Sequence, residues 1–115
     1  MTYTIKSRVW IEVNNKMFLG EGRIQLLKTI QETKSLSKSA KKMGMSYKKA
    51  WKLLNSINKN AEKPVVISVS GGANGGGTVV TAYGEELISK YDTLNKKCWQ
   101  FLDKQLSIFL TSNKI

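Results

Sequence analysis

Histidine is absent from the 115 residues, and with it go His-based triads, imidazole general bases and imidazole metal ligands. A single cysteine, Cys98, allows no intramolecular disulfide and no cysteine-cluster metal site, and points to a reducing compartment. Acids are scarce as well: eight Asp and Glu stand against nineteen Lys and Arg, for a formal net charge of +11. So few carboxylates, without His, assemble no acid/base constellation, and neither an enzyme nor a cofactor is expected. No apolar run approaches the ~20 residues of a membrane span. The first residues, Met1 to Lys6, lack the apolar core of a signal peptide, so the expectation is a soluble, cytoplasmic protein of one domain.

What is present is lysine, and it is concentrated. Lys34 to Lys63 contains nine lysines and one acid, Glu62, whereas Thr81 to Ile115 sets five lysines against four acids. A basic segment of this kind suits an anionic polymer better than planar recognition of one small ligand. Residues 5–13 alternate, with Ile5, Ser7, Val9, Ile11 and Val13 on one face, and predict a half-buried strand. Asn14-Asn15-Lys16 reads as a turn, Met17–Leu19 as a short return strand, and Ile24, Leu27 and Ile30 as the inner face of a helix.

Two short helices with a tight join follow. Ser37 is expected to cap the first, which carries Ala40 and Met43 inward. Gly44 stands where a left-handed residue ends a helix, and Ser46 caps the second. The second helix is expected to bury Tyr47, Ala50, Trp51, Leu54 and Ile57 and to expose Lys48, Lys49, Lys52, Asn55, Ser56 and Lys59. Ala40-x-x-x-Gly44, the short join and this basic, amide-bearing face describe a helix-turn-helix. Two merely structural helices would carry acids among the lysines for i, i+4 pairing, and none occurs between Glu32 and Glu62.

Beyond Pro64, Val65 to Ser70 and Thr78-Val79-Val80 read as two strands around Gly71-Gly72-Ala73-Asn74-Gly75-Gly76-Gly77. The loop lacks the Lys of a phosphate-binding P-loop, and no helix starts there, so it reads as the wing of a winged helix. Thr81 caps a last helix running to about Leu110. Its stripe of Leu87, Tyr91, Leu94, Cys98, Phe101, Gln105 and Ile108, flanked by Leu102, is too long for the rest of the chain to cover. A second copy can cover it, so the helix is expected to dimerise. The fold expected is mainly α with a small β component: residues 1–81 a winged helix-turn-helix, 82–110 a dimerisation helix, 111–115 a frayed tail.

Several of these strings resemble one family. They are Gly22-Arg23-Ile24-x-Leu26-Leu27, Ser35-Leu36-Ser37-x-x-Ala40-x-x-x-Gly44-Met45-Ser46-Tyr47-Lys48-x-Ala50-Trp51, the double and triple glycines from Gly71 to Gly77, and Thr81-x-x-Gly84-x-x-Leu87-Ile88-x-x-Tyr91. Together they resemble the N-terminal winged-helix domain of ModE, the bacterial molybdate-responsive transcriptional regulators, whose DNA-binding domain is related to that of LysR-type regulators. The resemblance implies a homodimer on a two-fold operator, in molybdenum-related gene control. ModE also carries molybdate-binding Mop or TOBE domains, which are not expected here, and no small-molecule effector is evident in this chain.

On that reading double-stranded DNA is the partner. Lys48, Lys49, Lys52, Asn55 and Lys59 would face the major groove or its phosphates, with Asn55 reading a base. Ser35, Ser37 and Lys38 would hold the backbone at the first motif helix. Ser46, Tyr47 and the wing residues Asn74 and Gly75 complete the expected DNA surface. An oxyanion-binding protein and a dimeric interaction module without DNA binding remain the alternatives.

Overall fold

In a computed structural model, residues 1–69 and 77–112 are described. The order of elements is β1 (Ile11–Val13), β2 (Lys16–Leu19), α1 (Glu21–Thr33), α2 (Leu36–Lys42), α3 (Tyr47–Asn60), β3 (Val66–Val69), β4 (Gly77–Val80) and α4 (Ala82–Ser112). The architecture is mainly α with two small antiparallel hairpins, β1–β2 and β3–β4. Among the described residues no helix is long and apolar enough to cross a membrane.

The first hairpin turns on Asn14 and Asn15, with φ of 52° and 63°. Two successive positive φ values are the signature of the tight turn whose twist matches antiparallel strands, and Asn tolerates them best after Gly. The strand itself is shorter than the alternation from Ile5 to Val13 predicts, because pairing runs only from Ile11↔Leu19 to Val13↔Lys16. Residues 1–10 have no neighbouring strand and therefore no ladder. Phe18 is skipped in the register, which lets Phe18 and Leu19 both turn into the core.

Helix α1 is the centre of the molecule. Leu26, Leu27 and Ile30 are fully buried, and Ile24 nearly so, against Leu36, Ala40, Ala50, Ile57, Val65 and Ile88 from every other helix and the wing. It ends at Lys34, whose φ is 55° and whose N–H bonds to Ile30 O at 2.8 Å. Ser35, and not Ser37, caps α2: its Oγ accepts from Lys38 N at 3.1 Å. The reason lies one residue either side. Leu36 must enter the first turn to be buried, and Thr33 Oγ1 accepts from Ser35 N at 3.2 Å, holding Ser35 in extended backbone. Ser37 lies exposed within the helix.

The join between α2 and α3 follows the expected chemistry. Gly44 has φ of +68°, Gly44 N bonds to Lys41 O at 3.1 Å, and Met45 N bonds to Ala40 O at 3.0 Å. This pair of bonds is the Schellman motif, which satisfies the last carbonyls of α2 and requires the left-handed residue that Gly supplies at least cost. Ser46 Oγ then accepts from Lys49 N at 3.1 Å and starts α3.

Thr81 caps α4, its Oγ1 accepting from Gly84 N at 3.0 Å. The first three turns lie on the core through Gly84, Ile88 and Tyr91. A Cβ at Gly84 would stand 2.4 Å from Val65 O, so only glycine allows the helix to approach the wing this closely. The rest of α4, about 46 Å long in all at 1.5 Å per residue, extends past the core and accounts for the elongated 68 × 30 × 22 Å shape.

Tyr91 is 2% exposed, and its hydroxyl donates to Val9 O at 2.7 Å, tying the N-terminal segment to the helix. It therefore belongs to the chain's own core and offers no surface to a second copy, contrary to its place in the expected dimer stripe. Burial raises the phenol above its ordinary value, with Glu21 and Asp92 adding to the shift. A folded pKa above the unfolded one means the contribution is complete below the unfolded value near 10 and fades as pH rises through the folded value. Tyr91→Phe should thus cost about 0.5–1.5 kcal/mol at pH 7. The gap from wild type should narrow in urea titrations as pH climbs above about 10.

Candidate nucleic-acid interface

The geometry of α3 decides which residues face outward. At about 100° per residue, Ala50, Leu53, Leu54 and Ile57 share one arc, and these are the buried or half-buried positions. The opposite arc carries Lys48, Lys52, Asn55 and Lys59, all exposed. The buried stripe is rotated toward Leu53 relative to expectation, which moves Tyr47 and Trp51 out of the core. They are 56% and 51% exposed on the flank that faces the second hairpin. Their spacing fits a buried stripe, which is why the sequence predicts them in the core. That stripe includes Leu53 on its other edge, and a chain this small has room for one side only.

Electrostatics sharpen the surface. Three ion pairs occur among the described residues: Lys28–Asp92, Lys42–Glu32 and Lys90–Glu86. Lys42 on α2 is thus neutralised by Glu32 at 2.6 Å, while Lys38, Lys48, Lys49, Lys52 and Lys59 enter no such pair. Five lysine ammonium groups held on two short helices without acids give a concentrated positive field. Ser46 and Ser35 hold the first turns of α3 and α2, so their hydroxyls are committed to backbone N–H groups.

The wing is bolted to α3 by one side chain. Asn58 Oδ1 accepts from Val65 N at 2.8 Å and from Val66 N at 3.2 Å, while Nδ2 donates to Val66 O at 2.9 Å. Between α3 and the wing lies a cleft of about 190 Å³ lined by Tyr47, Trp51, Asn55, Asn58, Ile67 and Ser68. The other end of the hairpin rests on α1, where Thr78 N donates to Lys34 O at 3.1 Å. Asn74 and Gly75, expected at the wing tip, lie outside the described residues.

The outer half of α4 shows a second kind of surface. Leu94, Phe101 and Ile108 are exposed at seven-residue intervals, with Phe109 beside them. Cys98 and Leu102 are half-buried, and Leu87 packs partly against the core.

Comparison with known proteins agrees with this architecture. The chain is 40% identical over 86 residues to the transcriptional regulator ModE of Haemophilus influenzae, covering 75% of this chain and 34% of that protein. It belongs to the ModE family. The DNA-binding transcriptional dual regulator ModE of Escherichia coli K12 is 43% identical over 84 residues, and the molybdenum-pterin-binding protein MopB of Rhodobacter capsulatus 41% over 76. These matches cover 73% and 66% of this chain, and 32% and 28% of those proteins. The chain therefore spans about one third of the ModE relatives, on their N-terminal part. No protein-family model matches it.

Two residues of this surface differ from their sequence reading: Trp51, expected in the core, is half exposed beside the wing, and Asn58, for which the sequence suggests no role, ties α3 to the wing. The signal available for Asn58 was its position seven and eight residues before the first strand of the wing, where a polar side chain can satisfy backbone groups that precede the ladder. Asn58→Ala should leave two N–H groups without their acceptor and cost about 2–3 kcal/mol, read as a lower urea midpoint at unchanged slope.

Proposed function

We propose that this chain is a sequence-specific DNA-binding transcriptional regulator that engages a two-fold operator as a homodimer. The observation that carries the reading is the outward arc of α3: Lys48, Lys52, Asn55 and Lys59, exposed together, free of acids, on a helix presented by a Schellman turn. An α-helix fits the major groove, where lysines meet phosphates and an amide can pair with adenine through two hydrogen bonds. Ser37 and Lys38 lie exposed on α2 and are placed to follow the adjacent backbone, with the wing on the other side. The names of the relatives, including the molybdenum transport protein ModE of Azotobacter vinelandii, support molybdenum-related control as the setting of this regulation.

Dimerisation rests on Leu94, Phe101 and Ile108, whose sevenfold spacing on a projecting helix is the pattern of a two-helix seam. Cys98 and Leu102 sit beside that seam. Residues 1–81 would then act as the DNA-binding unit and the outer part of α4 as its dimer arm. Removing α4 altogether would also remove Ile88 and Tyr91 from the core, so point changes are the informative ones. Phe101→Asp with Ile108→Asp should leave a folded monomer in sedimentation equilibrium, with operator binding severely weakened.

The reading is tested on fragments selected by the protein from genomic DNA. With four or five phosphates neutralised per protomer, the dimer should show a log K against log salt slope of roughly −7 to −9. Lys52→Ala should flatten that slope by about one unit per protomer and weaken all sequences alike. Asn55→Ala should instead cost about 1–3 kcal/mol on the operator alone, lost at one base pair per half-site. Equal losses on operator and random DNA would assign Asn55 to the backbone.

A further inference from the structure

The chain has only two arginines, Arg8 and Arg23, and the fold brings both to one cleft. It lies on the flank of α3 away from the wing, between the first hairpin and the start of α1, with a volume of about 610 Å³. Lys49 reaches it from the first turn of α3. Trp10 and Met17 form one wall and Leu53 another, and Trp10 is 51% exposed. Among the described residues Glu21 is the one acid on the lining, so three cations face one carboxylate.

Neither arginine enters an ion pair among the described residues. Arg23 Nη1 donates to Ser56 Oγ at 3.0 Å, which orients the guanidinium while using one of its five N–H donors. Burial lowers Arg23 from its ordinary value, the mark of a cation partly stripped of water. Two guanidinium forks and an ammonium beside an exposed indole and a thioether form a composite surface. One part matches the several oxygens of a phosphate, the other a flat ring.

We propose that this cleft binds a small planar heteroaromatic monophosphate, of mononucleotide size. The excess of two positive charges matches a phosphate monoester, which carries about −1.5 to −2 near pH 7, better than a single carboxylate. The volume lies within the range of small-molecule sites. A DNA phosphodiester carries half that charge and keeps its rings in the stack, which leaves Trp10 and Met17 without a partner. The proposal is independent of the DNA reading, and its test uses the DNA-free protein.

The experiment is isothermal titration of the full chain with flavin mononucleotide and with adenosine monophosphate. Riboflavin, adenosine and inorganic phosphate serve as the separated halves. At least one monophosphate should bind saturably, one per chain, and about tenfold or more tighter than its dephosphorylated form or phosphate alone. Arg8→Gln with Arg23→Gln should weaken binding by about tenfold or more, and Lys59→Gln, on the outer arc of α3, should not change it. Arg8→Gln alone breaks no hydrogen bond among the described residues and should still weaken binding about threefold or more, whatever the double variant does to folding. Absence of saturable binding by either monophosphate overturns the proposal, as does equal affinity for phosphate alone or an unchanged affinity in Arg8→Gln. Displacement of the bound monophosphate by a short DNA duplex also overturns it, because the cleft is then a seat for the DNA backbone. A shift from dimer to monomer in Arg8→Gln overturns it too, because the cleft is then covered by a second copy.

Discussion

The carboxamide of Asn58 is the constraint on which the rest of the molecule depends. Its three hydrogen bonds satisfy the backbone of Val65 and Val66 at the point where the chain leaves α3 and starts the wing. Val65 is fully buried, and its carbonyl accepts from Thr81 N at 2.9 Å and lies against Gly84. Thr81 Oγ1 donates to Pro64 O at 2.7 Å on the same crossing. One short stretch thus joins the end of α3, the base of the wing and the start of α4, and each buried backbone group left without its partner there would cost about 1–3 kcal/mol.

Around that joint the molecule separates work between lysine and apolar side chains. Helix α1 gathers the core and contributes little to the outer surface, while α2 and α3 carry the cations and bury only narrow stripes. The lysines can stay unpaired because each helix is held from below and capped by Ser35 or Ser46, so stability does not require acids on the exposed face. The cost of like charges held together is modest in water and becomes favourable only against a polyanion.

Local chemistry was the legible part of the chain. The Asn14-Asn15 turn, the Gly44 turn, the Ser46 and Thr81 caps and the second hairpin all follow from residue types whose backbone preferences are strong. Where a choice depended on what lies across the fold, the sequence was ambiguous. Ser35 and Ser37 are equal as capping residues until Leu36 needs a place in the core. The inner stripe of α3 could include Trp51 or Leu53, and only the position of α1 and the first hairpin selects Leu53. The alternation from Ile5 to Val13 is genuine, yet a strand needs a neighbour, and Met17–Leu19 supplies one for three residues only. The Arg8 and Arg23 cleft left no trace, since its residues come from five separate segments.

The bond from Tyr91 to Val9 spans 82 residues, whereas most of the packing joins elements adjacent in the chain. Closing so long a loop costs entropy that grows with the logarithm of its length, and the return is one hydrogen bond and the partial burial of Ile5 and Val9. The two-helix turn and the hairpins can form and meet early, since their contacts are local. Docking of the N-terminal segment on α4 thus joins two distant parts of the chain that local folding alone does not bring together. The direction in which α4 leaves the core is set first by the close approach at Gly84 and the burial of Ile88, and Tyr91 adds the last hold before the helix projects.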